Sequence, residues 1–284
     1  MNALTIDVED YFHVAALAPA IPRSSWNDRQ SRVEANTERL LEILSQRRVR
    51  ASFFVLGWVA ERYPSLVRRI AAAGHEVACH GFSHELIYRQ AHGTFEEETH
   101  RAKALLEDAI AAPVHGYRAA SFSITRQSLW ALDTLIDLGF AYDSSIFPIH
   151  HDRYGIPEAA RQPGRVTAPS GRTLVEFPMS AASFLGLRVP VSGGGYFRIF
   201  PYWLTAMGLR QINAHTRPFA FYMHPWEIDP EQPRVTVGPL ARFRHYTNLG
   251  RCERRLRRLL GEFRFGRMID VLGAQGLLRA GAMR

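Results

Sequence analysis

The sequence predicts an α/β fold in which parallel strands alternate with helices around a barrel. Short apolar runs alternate with amphipathic segments over residues 1–223, the pattern of strand–helix units with helices outside a parallel sheet. The chain has 284 residues, 46% of them hydrophobic, enough for one large barrel or two small domains. Polar motifs directly follow several apolar runs, and barrel sites form at the carboxyl ends of strands.

Local patterns place the elements in chain order. One helix is bounded by Pro64 in its first turn and by Gly74 after its last. Two further helices have a good N-cap residue, Thr94, which three glutamates follow in the first turn, and Thr125. The predicted strands are residues 3–6, 51–56, 76–79, 113–117, 140–142, 173–177 and 218–223. The predicted helices are residues 33–46, 63–73, 95–111, 125–138 and 202–214.

Two regions depart from this rhythm. Residues 146–195 are rich in proline and glycine, and we expect an elaborated loop over the barrel mouth with one strand. The formal net charge is +8. The segment from Arg242 to Arg284 has eleven arginines and three acidic residues, so it carries this whole charge and the rest of the chain is neutral overall. Residues 251–263 have an apolar helical face. We therefore predict a barrel domain at 1–239 and a basic helical extension at 240–284, packed on the barrel.

Composition excludes several classes of protein. Two cysteines do not make a disulfide framework, and no apolar run approaches the about 20 residues of a membrane span. The chain starts directly in a strand-like run without a secretory signal pattern. We expect a cytoplasmic protein, with contact at the inner face of the membrane left open.

The segments at residues 7–10 and 80–84 favour a metal site. His80 and His84 are four apart, so on a helical turn both imidazoles face one side and can share an ion. Asp7, Glu9 and Asp10 follow the first strand, and carboxylates buried together need a compensating cation. A turn at the surface and a strand end in solvent are the alternatives. A divalent ion so held would activate water and polarise a carbonyl oxygen.

Two residues after later strands suit acid–base chemistry. A carboxylate that is not a ligand could serve as general base, and Arg118 could hold it by a charge-assisted contact. His224 could donate a proton to a leaving group from the opposite side. Taken alone, each is as readily a structural residue.

These segments occur in the order of the motifs of NodB-type polysaccharide deacetylases, the fourth carbohydrate esterase family. The resemblance covers about residues 2–229 and includes Arg118-Ala119-Ala120-Ser121-Phe122 and Phe221-Tyr222-Met223-His224-Pro225. The chain also resembles, more narrowly, the branch of this family found in exosortase-associated exopolysaccharide loci. The segments that carry this likeness are the basic tail and residues 10–12, 142–145, 192–198 and 224–229.

The resemblance implies a distorted, incomplete (β/α) barrel that removes N-acetyl groups from amino sugars, in exopolysaccharide biosynthesis. It implies a divalent metal, usually zinc, with cobalt, nickel or manganese as alternatives. The family's base falls on Asp7, its histidine ligands on His80 and His84, its base-orienting arginine on Arg118 and its proton donor on His224.

The acidic segment departs from the family pattern, in which two aspartates are adjacent and the second is a ligand. Strand alternation puts Asp7 and Glu9 on one face, which favours Glu9 as the ligand, with Asp10 as second candidate. Ala120 stands where the family usually has proline.

Other residues near the motifs are candidates for substrate contact. Tyr11, Tyr196 and Trp226 could stack on sugar rings, with Trp226 the best candidate for a pocket wall and core packing as the alternative. A backbone N–H near Tyr11 could stabilise an oxyanion. Asp143 is expected to orient His224 or line the pocket. The glycines 193–195 could let a loop approach the substrate or form a plain turn.

Three other functions compete. One is an allantoinase-like metal amidase on a small molecule. A non-haem iron oxygenase also uses two histidines and a carboxylate, although the strand–helix alternation argues against its usual jelly roll. The third is a degenerate barrel that binds anionic surfaces through the arginines 254, 255, 257 and 258. We expect an N-acetylated polysaccharide or lipid-linked oligosaccharide as partner, and no nucleic acid.

Overall fold

A curled sheet forms the centre of the protein, whose computed structural model describes residues 1–184, 186–215 and 217–278. The strands are β1 (Asn2–Val8), β2 (Ser52–Val55), β3 (Glu76–Cys79), β4 (Gly116–Tyr117), β5 (Tyr142–Asp143), β6 (Gly164–Thr167), β7 (Thr173–Glu176), β8 (Ala181–Phe184), β9 (Leu187–Pro190), β10 (Ala220–Met223) and β11 (Phe265–Gly266). The main sheet runs β10-β1-β2-β3-β4-β5-β7-β6, and β11 also pairs with β1. All its pairs are parallel except β6 with β7. Because β10 and β6 are the two edges, the barrel is incomplete, as the resemblance implied.

Most helices cover the outside of this sheet, whereas α10 (residues 268–274) packs in the apolar cluster inside the curl. The helices are α1 (Val33–Arg47), α2 (Gly57–Arg62), α3 (Pro64–Ala72), α4 (His92–Ile110), α5 (Ala131–Asp137), α6 (Gly194–Ile199), α7 (Tyr202–Ala214), α8 (Pro239–Tyr246), α9 (Leu249–Glu262) and α10 (Met268–Ala274). Alternate residues of β2 enter two different apolar clusters: Phe53 and Val55 pack with leucines of the helices, and Phe54 packs inside the curl with Ala78 and Tyr222. Burial on both faces explains why the strands read as continuous apolar runs.

Two helices begin at positions other than those predicted. Helix α4 starts at His92, with Ala91 and not Thr94 at the N-cap position, and the His92 ring stacks on Trp130 at 3.8 Å. Helix α5 starts only at Ala131. The Thr125 N–H donates to Ser128 Oγ (2.9 Å), and that hydroxyl donates to the Ser123 carbonyl (2.8 Å), so local side-chain hydrogen bonds form a turn there instead.

Residues 146–195 contain more regular structure than the single strand predicted. Besides β7, they include β6, which pairs with β7 at the sheet edge, and the antiparallel pair β8 and β9. Strand β6 alternates between half-buried and exposed residues, so it carries no apolar run that a search for buried strands would find.

The basic tail is partly built into the barrel. The apolar face of α9 buries Leu256 and Leu259. Beyond α9, β11 pairs with the start of β1, and the Met268 N–H donates to Ser52 Oγ at 2.7 Å. The boundary at residue 239 stays a prediction. Both cysteines are buried thiols without a disulfide. Within the described residues, no helix is both long and apolar enough to cross a bilayer.

Candidate active site

The carboxyl ends of β1, β3, β4 and β10 bring the predicted site residues together. Glu9, His80 and His84 each offer a ligand atom, and these atoms lie within 4.8 Å of one another. Asp7 and His224 line the same cavity of about 150 Å³. The parallel register of the four strands places all these residues at one edge of the sheet.

The histidine segment is an irregular turn and not the helical turn expected. Gly81 and His84 both have positive φ, 70° and 53°, and the two imidazole centroids lie 5.5 Å apart. His80 Nδ1 lies 2.8 Å from the Arg118 carbonyl oxygen, so Nδ1 carries the proton and donates to it. This hydrogen bond leaves Nε2 of His80 with a free lone pair, the form in which histidine binds metals.

Glu9 lies between two imidazoles. His84 Nε2 is 3.0 Å from its Oε2, and His224 Nε2 is 3.0 Å from its Oε1. Burial opposes ionisation of Glu9, but the two histidines outweigh it and hold its pKa well below the usual range.

The donor set fits a divalent transition metal. Glu9 Oε2 is buried, and its close contact is the imidazole of His84, 3.0 Å away, which is itself one of the three grouped residues. Burial lowers the pKa of His80 to about 4, so its imidazole is neutral and available as a ligand at pH 7. Two imidazoles and one carboxylate match catalytic zinc sites that keep an open position.

A buried ion pair fixes Asp7 beside this group. Arg118 Nη1 donates to Asp7 Oδ1 at 2.6 Å, and both side chains are buried. The same nitrogen donates to Thr5 Oγ1 (2.8 Å), while Nη2 and Nε donate to Ser144 Oγ (3.0 Å) and the Ser144 carbonyl (3.1 Å). These hydrogen bonds hold the Arg118 guanidinium, which in turn orients the Asp7 carboxylate.

On the opposite side, His224 is held by Glu227 and Arg198. Its Nδ1 lies 3.3 Å from Glu227 Oε2, and Arg198 Nε donates to Glu227 Oε1 at 2.7 Å. Burial opposes protonation of His224, but Glu9 and Glu227 outweigh it and raise its pKa to about 10. The protonated ring donates through its other nitrogen, Nε2, which lies 3.0 Å from Glu9 Oε1 at the cavity wall.

Sequence reasoning gave Glu227 and Arg198 no role. Glu227 sits three residues after His224, a capping-box spacing that was a usable signal, and the structure has that box. Arg198 lies far away in sequence, at the end of the glycine-rich segment, and no local pattern points from it to Glu227.

Asp10 does not join the metal-binding group. Its Oδ2 accepts hydrogen bonds from Ser31 Oγ and the N–H groups of Arg32 and Val33, at 2.7 to 3.0 Å, where α1 begins. Its Oδ1 accepts the Tyr11 N–H at 2.9 Å, so that N–H is not free for an oxyanion. Asp10 ties the first strand to α1.

Asp143 lies away from His224 and lines neither cavity described here. Its carboxylate accepts Ser145 Oγ–H at 2.5 Å, and burial raises its pKa beside Glu176. The expectation that Asp143 orients His224 is therefore wrong, because Glu227 holds that imidazole. Tyr11 is also absent from both cavity walls, and its ring packs edge-on against Phe12 at 5.2 Å.

Trp226 and Tyr196 do line a cavity. Trp226 stacks between His224 and His245, with ring centroids 5.1 and 4.4 Å away. Both aromatic residues line a second cavity of about 240 Å³ that adjoins the first. At Gly193, where φ is 133°, a Cβ would lie 1.8 Å from the Tyr222 carbonyl oxygen, so this glycine permits close packing on β10.

Two family models match successive parts of the chain. The family model described as polysaccharide deacetylase matches residues 24–140, and one described as a domain of unknown function (DUF3473) matches residues 144–273. The second match runs across the boundary predicted at residue 239.

Curated relatives share part of the chain. A chitooligosaccharide deacetylase of Bradyrhizobium sp. (strain ANU 289) is 30% identical over 136 residues, which are 46% of this chain and 62% of the relative. A peptidoglycan-N-acetylglucosamine deacetylase of Bacillus cereus is 33% identical over 81 residues, 28% of each protein. The chain thus spans about three fifths of the first relative and under a third of the second.

Solved structures share the fold along almost the whole chain. A polysaccharide deacetylase structure from Mycobacterium smegmatis, titled putative, has a TM-score of 0.61 at 21% identity and covers 97% of this chain and 91% of that one. The Puue allantoinase structure has a TM-score of 0.60 at 14% identity, covering 98% and 91%. At these identities the likeness concerns the fold alone.

The chain is similar to polysaccharide deacetylases over residues 24–140, and residues 144–273 match the family model of unknown function. The solved structures add a likeness of the fold alone.

Proposed function

We propose that the protein is a metal-dependent hydrolase that removes N-acetyl groups from amino-sugar residues of a polysaccharide. The observation that carries the proposal is the placement of Glu9, His80 and His84 between two differently supported acid–base residues, Asp7 and His224. The names of the relatives, deacetylases of chitooligosaccharide and of peptidoglycan N-acetylglucosamine, support the same reaction and substrate class.

Glu9, His80 and His84 would hold the ion, for which we propose zinc, with cobalt, nickel or manganese as substitutes. When bound, a divalent ion supplies Lewis-acid polarisation of the acetamide carbonyl and a lowered pKa of water. Asp10 is left out of the ligand set, because its oxygens serve the start of α1.

Asp7 would act as the general base. Its carboxylate lines the cavity with the three ligand residues and takes a proton from the water that attacks the acetyl carbonyl carbon. Arg118 keeps Asp7 in place, and it touches no reacting atom.

His224 would act as the general acid from the opposite wall. As the carbon–nitrogen bond breaks, Nε2 of His224 donates its proton to the departing amine, while Glu227 stabilises the imidazolium. The products are acetate and a sugar with a free amine. Trp226 would form the pocket wall beside the sugar.

We also propose that the substrate belongs to exopolysaccharide synthesis and is a polymer or lipid-linked oligosaccharide met in the cytoplasm. The support is the likeness of residues 192–198 and 224–229 to the exopolysaccharide-associated branch, since these two segments contain Arg198, His224 and Glu227. Residues 240–284 would be an extension of the barrel domain.

Acetate release from N-acetylglucosamine oligomers tests the reaction. The protein is stripped of metal by a chelator and reloaded with zinc or cobalt, beside His80→Ala and the matched control His100→Ala, an exposed histidine of α4. We expect metal-dependent release by the wild type and the control, and none by His80→Ala. Absence of release from reloaded wild type, together with hydrolysis of allantoin, would favour the amidase alternative instead.

A further inference from the structure

The cavity of about 240 Å³ extends the reactive one. The two cavities share His224, Trp226 and Tyr222 as lining residues, together with Ser121 from the loop after β4. The larger cavity is therefore the space next to Asp7 and His224 that a neighbouring sugar of a bound saccharide would enter.

Two arginines of this larger cavity lack a partner for their charge. Arg153 lines both cavities and Arg244 lines the larger one, and both residues are half-buried. Within residues 1–184, 186–215 and 217–278, neither guanidinium has a hydrogen-bonded or ion-paired partner. Their neighbour Arg198, by contrast, is fully paired with Glu227 and with backbone carbonyls. Cations partly removed from water without a counter-charge favour an anionic ligand.

The surrounding charges leave the cavity positive. Burial lowers the pKa of His151, and Arg244 and Arg153 lower it further, so both guanidinium charges act at the same wall. The acidic group at that wall is Asp152, which is mostly exposed and lies 2.9 Å from His151 Nδ1. The carboxylates further along the cavities already have partners: Glu227 has Arg198 and His224, Asp7 has Arg118, and Glu9 has His84 and His224.

The positions of these groups are fixed by the fold. Arg198 Nη2 donates to the Arg244 carbonyl at 3.0 Å, so the residue that supports Glu227 also anchors the backbone of Arg244. On the other wall, His151 stacks on Tyr154 at 3.8 Å, and Tyr154 stacks on Phe147. Flat aromatic walls with a few placed polar groups are typical of ligand pockets.

We propose that this cavity is a subsite for an anionic group, a uronate carboxylate or a phosphate, on the sugar next to the N-acetylated one. The planar fork of arginine matches both groups bidentately. The inference rests on the proposed deacetylase function and adds to it the charge of the substrate.

Binding measured by calorimetry tests the subsite without turnover. The zinc-loaded Asp7→Asn protein is titrated with three tetrasaccharides: neutral N-acetylglucosamine oligomer, N-acetylglucosamine alternating with glucuronate, and the neutral oligomer with a terminal phosphate. We expect at least one anionic saccharide to bind about tenfold more tightly than the neutral one, the equivalent of one charge-assisted hydrogen bond. The difference should shrink at high salt.

Arginine variants in the same background locate the effect. Arg153→Gln and Arg244→Gln should each bring the ratio of anionic to neutral affinity towards one. Arg254→Gln, an exposed arginine of α9 that lines neither cavity, should keep the ratio.

The outcomes separate the two proposals. Tighter binding of the glucuronate or of the phosphate saccharide supports the subsite and names its anion. Equal binding of all three, or a ratio unchanged in both variants, overturns the subsite while acetate release still upholds the deacetylase. No binding of any saccharide, with no acetate release by the wild type, overturns both.

Discussion

Two buried arginines support opposite sides of the site, and they do so over different distances. Arg118, in the part that matches the polysaccharide deacetylase model, contacts the proposed base Asp7 directly. Arg198, in the part of unknown function, reaches His224 only through Glu227. The proposed base Asp7 is therefore positioned by one ion pair, whereas the proposed acid His224 is positioned by two successive contacts, from Arg198 to Glu227 and from Glu227 to His224.

The second side also involves the basic tail. Arg198 Nη1 donates to the carbonyl oxygens of His245 and Thr247 at 2.8 and 2.9 Å, and His245 stacks on Trp226. Arg255 Nη1 in turn donates to the carbonyls of Phe197 and Arg198. The residues after 239 therefore act as a scaffold for the His224 side of the site, and the charge of Arg255 is used for hydrogen bonds within the fold.

The largest expected effect comes from removing either arginine. Arg118→Met and Arg198→Met should each lower the free energy of unfolding by about 3–5 kcal/mol, because each takes the guanidinium partner away from a buried carboxylate. Urea unfolding measures the loss, with Arg254→Met as the exposed control.

A double-variant cycle separates the two sides. Asp7→Asn should remove much of the loss caused by Arg118→Met, since the carboxylate charge is then gone, and it should leave the loss from Arg198→Met unchanged. Equal coupling of Asp7→Asn to both arginines would contradict the independence of the two sides.

A smaller effect is expected for Glu227→Gln. The Glu227 charge helps to raise the pKa of His224, so its removal lowers that pKa. A general acid is lost as pH rises through its pKa, so the basic limb of the profile of kcat against pH should move to lower pH. We expect the fall in kcat, about tenfold, at the pH values between the old and the new limb. A purely structural role would lower kcat without moving that limb.

The smallest effect separates the two acidic neighbours at the end of β1. Asp10→Ala removes the cap at the start of α1 and should lower the free energy of unfolding by about 0.5–2 kcal/mol. Metal stoichiometry should stay at the wild-type value, whereas Glu9→Ala should lose the ion. Loss of metal from a folded Asp10→Ala protein would restore Asp10 as a ligand candidate.

The parts of the fold that were predictable are those whose signals are local. Helix α7 has the predicted bounds, and Asp7, Glu9, His80 and His224 could be grouped because each follows an apolar run. Short strands such as β11 and half-exposed ones such as β6 were missed, because tertiary pairing alone defines them.

The errors in the site have the same origin. Sequence adjacency made Asp10 a plausible ligand, but hydrogen bonds to residues about twenty positions later turn it towards α1. Arg198 and Glu227 are 29 residues apart, and no periodicity links them.

The most direct measurement is zinc content and acetate release of Asp7→Asn in parallel with wild type. If Asp7 is the base and Glu9, His80 and His84 hold the ion, the variant keeps the zinc stoichiometry of the wild type and loses about 10²–10⁴-fold in kcat. An Asp7→Asn protein that binds zinc and releases acetate at close to the wild-type rate would contradict this account.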